Sequence, residues 1–194
     1  MNHHYDYNRD IEAAVDVMRR GGVIAYPTDT VWGIGCDAAC ADAVRRIYDI
    51  KHRADSKALI TLVADEDMLA SCIRGGIPDI CRDYLRESDR PTTIVYPEGC
   101  NVAPELLAED GSIGIRITRD DFSRDLCRML GRAVVSTSAN ISGEPAAQSF
   151  RDISKDILDA VDYVALSCRE STGPSRPSRV VKLTEDGEMI VLRD

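Results

Sequence analysis

Four short polar segments carry the residue types that could do chemistry, and each lies just behind an apolar run. Tyr26-Pro27-Thr28-Asp29-Thr30 offers hydroxyls to a small polar substrate, although a turn capped by its own side chains uses the same residues. Lys51-His52-Arg53-Ala54-Asp55-Ser56-Lys57 concentrates charge. On a helix Lys51 and Arg53 would lie about 200° apart, whereas an extended segment sets Lys51, Arg53 and Lys57 on one side. A solvated connector at a helix end would read the same way. In Ser112-Ile113-Gly114-Ile115-Arg116-Ile117 a guanidinium falls inside an apolar stretch, so Arg116 must pair or emerge at a sheet edge. Its planar fork suits a substrate carboxylate and a structural Asp or Glu equally well. Ser136-Thr137-Ser138-Ala139-Asn140-Ile141-Ser142-Gly143 is dense in short donors, which cradle phosphate and ribose without adding charge. A simple Asx or Ser turn needs fewer of them.

Such segments need a scaffold, and the spacing of apolar residues predicts one. Ile11, Ala14, Val15 and Met18 recur at helical spacing behind a capping Asp10, and Gly21-Gly22 stops the helix. Val23 to Tyr26 reads as a strand stopped by Pro27, followed by Val31-Trp32-Gly33-Ile34-Gly35 and a second helix through Ala43, Val44, Ile47 and Tyr48. Leu59 to Val63, Thr93 to Tyr96, Ile113 to Ile117, Val134 to Ser136, Tyr163 to Ala165, Val180 to Leu183 and Met189 to Leu192 read as further strands. Asp121 to Leu130 is the clearest helix, with Gly131 as its stop. Glu185-Asp186-Gly187 carries hairpin-turn chemistry between the last two strands. Strands alternating with helices before a final hairpin predict an α/β (α+β) fold with a twisted, mixed sheet. Open α/β sheets place ligand crevices behind strand ends, where the polar segments fall.

A chain of 194 residues that is 44% apolar can bury about 70% of its unfolded surface, so one domain over 1–194 is expected. No apolar run approaches the roughly 20 residues of a bilayer span, and the N-terminus lacks signal-peptide order, which together predict a cytoplasmic protein with no membrane segment. The seven cysteines are an odd set without a Cys-x-x-Cys pair, so they read as reduced packing residues. Only His52 of the three histidines lies in the folded body, and no metal site built from side chains is expected. A net charge of −9 disfavours a protein that coats nucleic acid, so any polyanion site must be local.

At these segments together, and over nearly the whole chain, the sequence resembles the YrdC-type threonylcarbamoyl-adenylate synthases. The resemblance is carried by Tyr26-Pro27-Thr28-Asp29-Thr30 with Gly33-Ile34-Gly35, the Lys-x-Arg-x-x-x-Lys run at 51–57, Arg116, Ser136-Thr137-Ser138-Ala139-Asn140, Pro177-Ser178-Arg179-Val180-Val181 and Leu192-Arg193. It implies a twisted sheet with helices packed around a positively charged cavity. It further implies a reaction in which L-threonine, bicarbonate and ATP give threonylcarbamoyl-AMP and pyrophosphate. A separate transferase would then use the product to modify transfer RNA.

By position, the resemblance makes Thr30, Arg116, Ser136 and Ser178 threonine contacts. It makes Arg53, Lys57, Ser112, Ser138 and Arg193 ATP contacts, with Lys51 and Asn140 in the same motifs. ATP must meet a doubly anionic carbamate, and each close pair of like charges costs about 1 kcal/mol in water and about 4 kcal/mol at an effective dielectric of 20. Lys51, Arg53, Lys57 and Arg116, with magnesium on the phosphates, would offset that repulsion without a covalent nucleophile.

Three positions depart from the family pattern. Leu62 stands where a histidine is common and would remove one threonine contact. Arg90-Pro91-Thr92-Thr93 replaces a Gly-Pro-Leu-Thr turn, and Pro177-Ser178-Arg179 replaces a closing Pro-Ser-Thr. The chain stops at Asp194, so closure of the cavity is expected from within this domain. Two rival readings use other chemistry. One is a non-catalytic module binding double-stranded RNA or tRNA on the same fold. The other is a hydrolase with a serine near Ser136 and His52 as base, which lacks a Gly-x-Ser-x-Gly elbow.

Overall fold

A computed structural model of the chain describes residues 7–52, 59–170 and 177–194. Helix α1 (Tyr7–Arg19) buries Ile11, Ala14, Val15 and Met18 on one stripe. It ends in a Schellman turn, with Gly21 at φ 78°, its N–H donating to Met18 O and the Gly22 N–H donating to Val17 O.

Asp10 lies inside α1 and does not cap it, which corrects the expectation. Its buried carboxylate instead accepts from the Leu166 and Ser167 N–H groups and the Tyr163 hydroxyl. The short acceptor that suits a helix start serves equally well for orphan N–H groups far along the chain.

Nine strands among the described residues form one sheet: β1 (Ile24–Tyr26), β2 (Gly33–Gly35), β3 (Ile60–Val63), β4 (Thr92–Tyr96), β5 (Ile113–Ile117), β6 (Val134–Ser138), β7 (Tyr163–Val164), β8 (Arg179–Leu183) and β9 (Met189–Arg193). Their order is β7-β1-β2-β6-β3-β5-β4-β8-β9. The pairs β1/β7, β3/β5 and β4/β8 are parallel and the others antiparallel, so the sheet is mixed as expected. The final hairpin closes on Gly187 at φ 81°, whose N–H donates to Thr184 O while Thr184 N–H donates to Glu188 O.

Helix α2 (Ala41–Ile50) and helix α5 (Asp121–Leu130) stand where the sequence places them. Asp120 caps α5 by accepting from Ser123 N–H, and Gly131 ends it in the left-handed region. Helices α3 (Glu66–Ser71) and α6 (Lys155–Ala160) are too short to show a clear apolar period, whereas α4 (Asp79–Glu87) carries Ile80, Cys81, Tyr84 and Leu85 at helical spacing. Tyr7 of α1 meets Phe122 of α5 edge to face, with ring centroids 6.0 Å apart.

Alternation gives the sheet two unlike faces. Ile94, Tyr96, Ile113 and Ile115 point into the apolar core, while Thr93, Val95, Ser112, Gly114 and Arg116 point the other way into a cavity. Gly35 lets β2 lie close: a Cβ there would sit 2.0 Å from Val135 O and 2.8 Å from a Tyr26 ring carbon. All seven cysteines are free and four are buried, and burial pushes the Cys81 thiol up to about 11. No helix among the described residues is long and apolar enough to cross a membrane.

Asp10 ties stability to pH. Burial alone would raise its pKa, but the bonds from Ser167, Leu166 and Tyr163 outweigh burial and hold the folded value below the ordinary carboxylate pKa. The stabilisation is therefore present above the unfolded-state pKa and is lost as pH falls through the folded one. Asp10→Asn puts an amide donor against those N–H groups and is expected to cost about 1–3 kcal/mol at neutral pH. Urea unfolding should show the gap between the two proteins narrowing below about pH 4.

Candidate active site

The polar face of the sheet surrounds a cavity of about 380 Å³, a size that suits a small-molecule ligand. Strand register assembles it in rows. Gly33 of β2 pairs with Ser138 of β6. Ser136 of β6, Ile60 of β3, Gly114 of β5 and Val95 of β4 then lie opposite one another across the sheet. A second row runs from Thr93 of β4 through Val180 of β8 to Arg193 of β9. Thr28, Thr30 and Val31, from the connection between β1 and β2, close one side. The lining comes from strands and loops, and no helix contributes to it among the described residues.

Seven of the residues singled out by sequence line this one cavity: Thr30, Ser112, Arg116, Ser136, Ser138, Ser178 and Arg193. Two others do not. Lys51, at the C-terminal end of α2, is 2% exposed, and its ammonium donates to Ser138 O and Asn140 O at 2.6 Å each. Its backbone carbonyl also accepts from Ser142 N–H. An ammonium taken out of water needs such partners, and here they brace the turn after β6 from behind. The Asn140 amide donates to Ile141 O and Glu144 O, and its buried Oδ1 has no hydrogen-bond partner among the described residues. Arg53 and Lys57 lie outside the described residues.

Arg116 is 3% exposed and lies 2.9 Å from Asp29, whose side chain is 7% exposed, through Nη2 and Oδ1. Distance and alignment disagree here: the pair is close enough for an ion pair, yet neither Asp29 Oδ1 nor Arg116 Nε has an aligned hydrogen bond among the described residues. We take the contact as electrostatic, because attraction between charges tolerates poor alignment better than a hydrogen bond does. Asp29 Oδ2 accepts from Arg119 N–H. The structural carboxylate partner that sequence left open is therefore Asp29, while Arg116 still faces the cavity.

Proton bookkeeping orients the small donors. Thr28 donates to Val31 O at 2.7 Å, so it accepts from the Thr30 hydroxyl, which leaves Thr30 lone pairs as acceptors. Thr28 also accepts from Thr30 N–H. Asp110 accepts from Ser112 N–H, and bonds to Ser112 and Lys182 pull its carboxyl down to about 2. Ser178 is 2% exposed, shares a hydrogen bond with Thr93, and accepts through its carbonyl from Arg193 Nε and Nη2. Burial, with Arg116 and Arg90 nearby, lowers the pKa of Arg193.

Among the described residues the charged members of the lining are thus Arg116 and Arg193, with no Asp or Glu beside them. Two fixed cations among hydroxyls suit a ligand with a carboxylate and a phosphate. Sequence reasoning included Asp29 in the first polar segment without pairing it to Arg116, and it missed Asp110; both hold lining residues from behind. It also missed Thr93 and Val95, whose alternation against Ile94 and Tyr96 was the available signal.

The Sua5/yciO/yrdC family model, described as telomere recombination, matches residues 16–194. The chain belongs to this family. A threonylcarbamoyl-AMP synthase of Chromohalobacter salexigens is 36% identical over 183 residues, covering 93% of this chain and 95% of the relative. One from Stenotrophomonas maltophilia is 36% identical over 156 residues, 79% of this chain and 84% of the relative. Among solved structures, P. abyssi Sua5 complexed with L-threonine superposes with TM-score 0.79 at 26% identity, covering 94% of this chain and 53% of that one. The chain thus spans about half the length of the Sua5 protein. E. coli YciO gives TM-score 0.79 at 25% identity and covers 96% of this chain and 89% of that one.

Within the family, the three departures have different settings. Leu62 is fully buried at the register position beside Arg116 and does not line the cavity. Arg90 and Arg179 both contact Asp194. His52, the hydrolase rival's base, is exposed and lies off the lining that holds Ser136.

Removing one partner of a buried ion pair strands the other. Asp29→Ala is expected to destabilise the protein by about 3 kcal/mol, and Asp29→Ala with Arg116→Met should recover most of that loss. Urea titration of both variants measures it. A double variant no more stable than the single one would mean that Asp29 contributes something other than charge compensation.

Proposed function

We propose that this chain is an L-threonylcarbamoyladenylate synthase, a nucleotidyltransferase making threonylcarbamoyl-AMP and pyrophosphate from L-threonine, bicarbonate and ATP. The observation that carries the reading is one cavity lined by Arg116, Arg193 and several Ser and Thr hydroxyls, with no carboxylate on the lining among the described residues. The names of the curated relatives and the threonine complex of Sua5 support the same reading.

In this reading the Arg116 guanidinium takes the threonine carboxylate. The lone pairs of Thr30 face the substrate amine or hydroxyl, with Ser136 and Ser178 beside them. The neutral amine nitrogen bonds to the carbon of bicarbonate as a C–O bond breaks, and the departing hydroxyl leaves as water with a proton from the nitrogen, giving a carbamate. A carbamate oxygen then bonds to the α-phosphorus of ATP as the bond to the β-phosphate oxygen breaks, and that electron pair leaves with pyrophosphate. Ser112, Ser138 and Arg193 receive the nucleotide, and Arg53 and Lys57 add positive charge to its phosphates. Magnesium enters with ATP on its phosphates as part of that substrate.

Lys51 and Asn140 act on the nucleotide indirectly, by fixing the turn that presents Ser138. Catalysis is positioning plus electrostatic stabilisation, since the charge that grows on the leaving oxygens meets cations already in place. The product is a reactive mixed anhydride. A threonylcarbamoyl transferase acting on tRNA consumes it, which sets the reaction in the cytoplasm.

Incubation with ATP, magnesium, bicarbonate and each amino acid in turn tests the reading. Pyrophosphate should appear only when threonine and bicarbonate are both present. RNA binding with steep salt dependence and no pyrophosphate would instead favour an RNA-binding module. A second test addresses the run at 51–57. Arg53→Ala and Lys57→Ala should each weaken ATP binding about tenfold, the worth of roughly one charge-assisted hydrogen bond, with unchanged thermal unfolding. Unchanged affinity in isothermal titration would remove these residues from the site.

A further inference from the structure

Two of the three departures from the family pattern meet on one carboxylate. Arg179 Nε donates to Asp194 Oδ1 at 2.6 Å, and Arg90 Nη1 lies 3.3 Å from the same oxygen. Arg90 precedes Pro91 and β4, Arg179 opens β8, and Asp194 follows β9. One side chain therefore ties together the three strands at this end of the sheet. The tie falls where register needs support, because the β8/β9 ladder shifts between Val180 and Val181. A ladder that has lost one regular pairing is free to slip unless side chains pin it.

What the tie holds is the cavity wall. Arg193 neighbours Asp194 and pairs with Val180, and its guanidinium lies against Ser178 at 2.9 Å and 3.2 Å to the carbonyl and 3.4 Å to the hydroxyl. Ser178 reaches Thr93 in turn at 2.9 Å. Arg193, Ser178 and Thr93 all line the cavity, whereas Arg90, Arg179 and Asp194 do not.

We infer that Asp194, clamped by Arg90 and Arg179, is a positioning residue that holds Arg193 and Ser178 in the cavity wall. The inference deepens the proposed function, since it rests on Arg193 meeting the nucleotide. It also gives the arginines at positions 90 and 179 one shared partner, since both reach the Asp194 carboxylate.

The sign of one effect separates positioning from simple charge. Deleting a carboxylate next to an anion site strengthens anion binding if only the field matters. If Asp194 holds Arg193 in place, its removal weakens binding instead. Asp194→Asn in the full chain is expected to weaken MgATP binding about three- to tenfold in isothermal titration, the worth of one or two partly exposed ion pairs. Amide hydrogen exchange in β9 should rise with it. Asp194→Glu should restore most of both, and Asp194→Asn should add nothing once Arg90→Gln and Arg179→Gln are present.

Unchanged or tighter MgATP binding in Asp194→Asn overturns the clamp. A wild-type protein that binds no MgATP refutes the proposed function and not the clamp. In that event β9 exchange decides, and exchange unchanged by Asp194→Asn overturns it. Should Asp194→Asn not fold, Arg179→Gln removes the 2.6 Å donor alone and is read by the same two measurements.

Discussion

A cation leaves water only where other groups satisfy it, and that constraint orders the working face of this sheet. Three cations are drawn inward around one cavity. Arg116 is held by Asp29, Lys51 by the carbonyls of Ser138 and Asn140, and Arg193 by the carbonyl of Ser178. Each arrangement also fixes a neighbour that faces the cavity, so the groups that stabilise the cations define the shape of the wall. Arg116 remains incompletely satisfied, with Nε unbonded, and an incompletely satisfied guanidinium is a standing attraction for a bidentate anion.

Only a sheet with this strand order brings those groups together. The residues of the two cavity rows come from positions between 33 and 193 in the sequence, and no local segment could present them. Period-two alternation sends every second residue of β4 and β5 to the cavity and the rest to the apolar core. A one-residue slip in β5 would therefore bury Ile115 in the cavity and drive Arg116 into the core. The cost of that exchange stabilises the register that function requires.

Much of the fold was readable from local chemistry. Apolar runs bounded by Pro, Gly and polar clusters located the strands to within two residues at most ends, because pairing and burial demand those patterns. The Asp121 to Leu130 helix was bounded by a carboxylate cap and a left-handed glycine, both short-range devices. Helices α3 and α6 were not resolved, since six residues carry too few turns to show a period, while the Ile80, Cys81, Tyr84 and Leu85 stripe of α4 was a legible signal that went unread. At the site, the residue types announced which side chains were out of place in an apolar strand, as with Arg116. They did not announce partners. That Asp29 meets Arg116, that Lys51 braces the turn after β6 and that Asp10 serves Leu166 are all contacts set by tertiary geometry. The departures at 90 and 179 looked like separate losses in one dimension and become one interaction in three.

The acidity of the whole chain sharpens the role of neutral partners. With a net charge of −9 the protein's distant field opposes ATP, but exposed charges beyond about 8 Å are largely screened at physiological salt. What a phosphate senses inside the cavity is therefore set by the nearest groups. A carboxylate that satisfies a buried cation also cancels its charge, whereas a backbone carbonyl satisfies its hydrogen bonds and leaves the charge in place. Lys51 and Arg193 meet carbonyls, and the Asp29 carboxylate near Arg116 sits behind the lining, off the cavity surface. The same logic suits Asp194, which lies one residue beyond Arg193 and whose side chain meets Arg90 and Arg179. An acidic protein can in this way present an anion site, provided its carboxylates order the cations from outside.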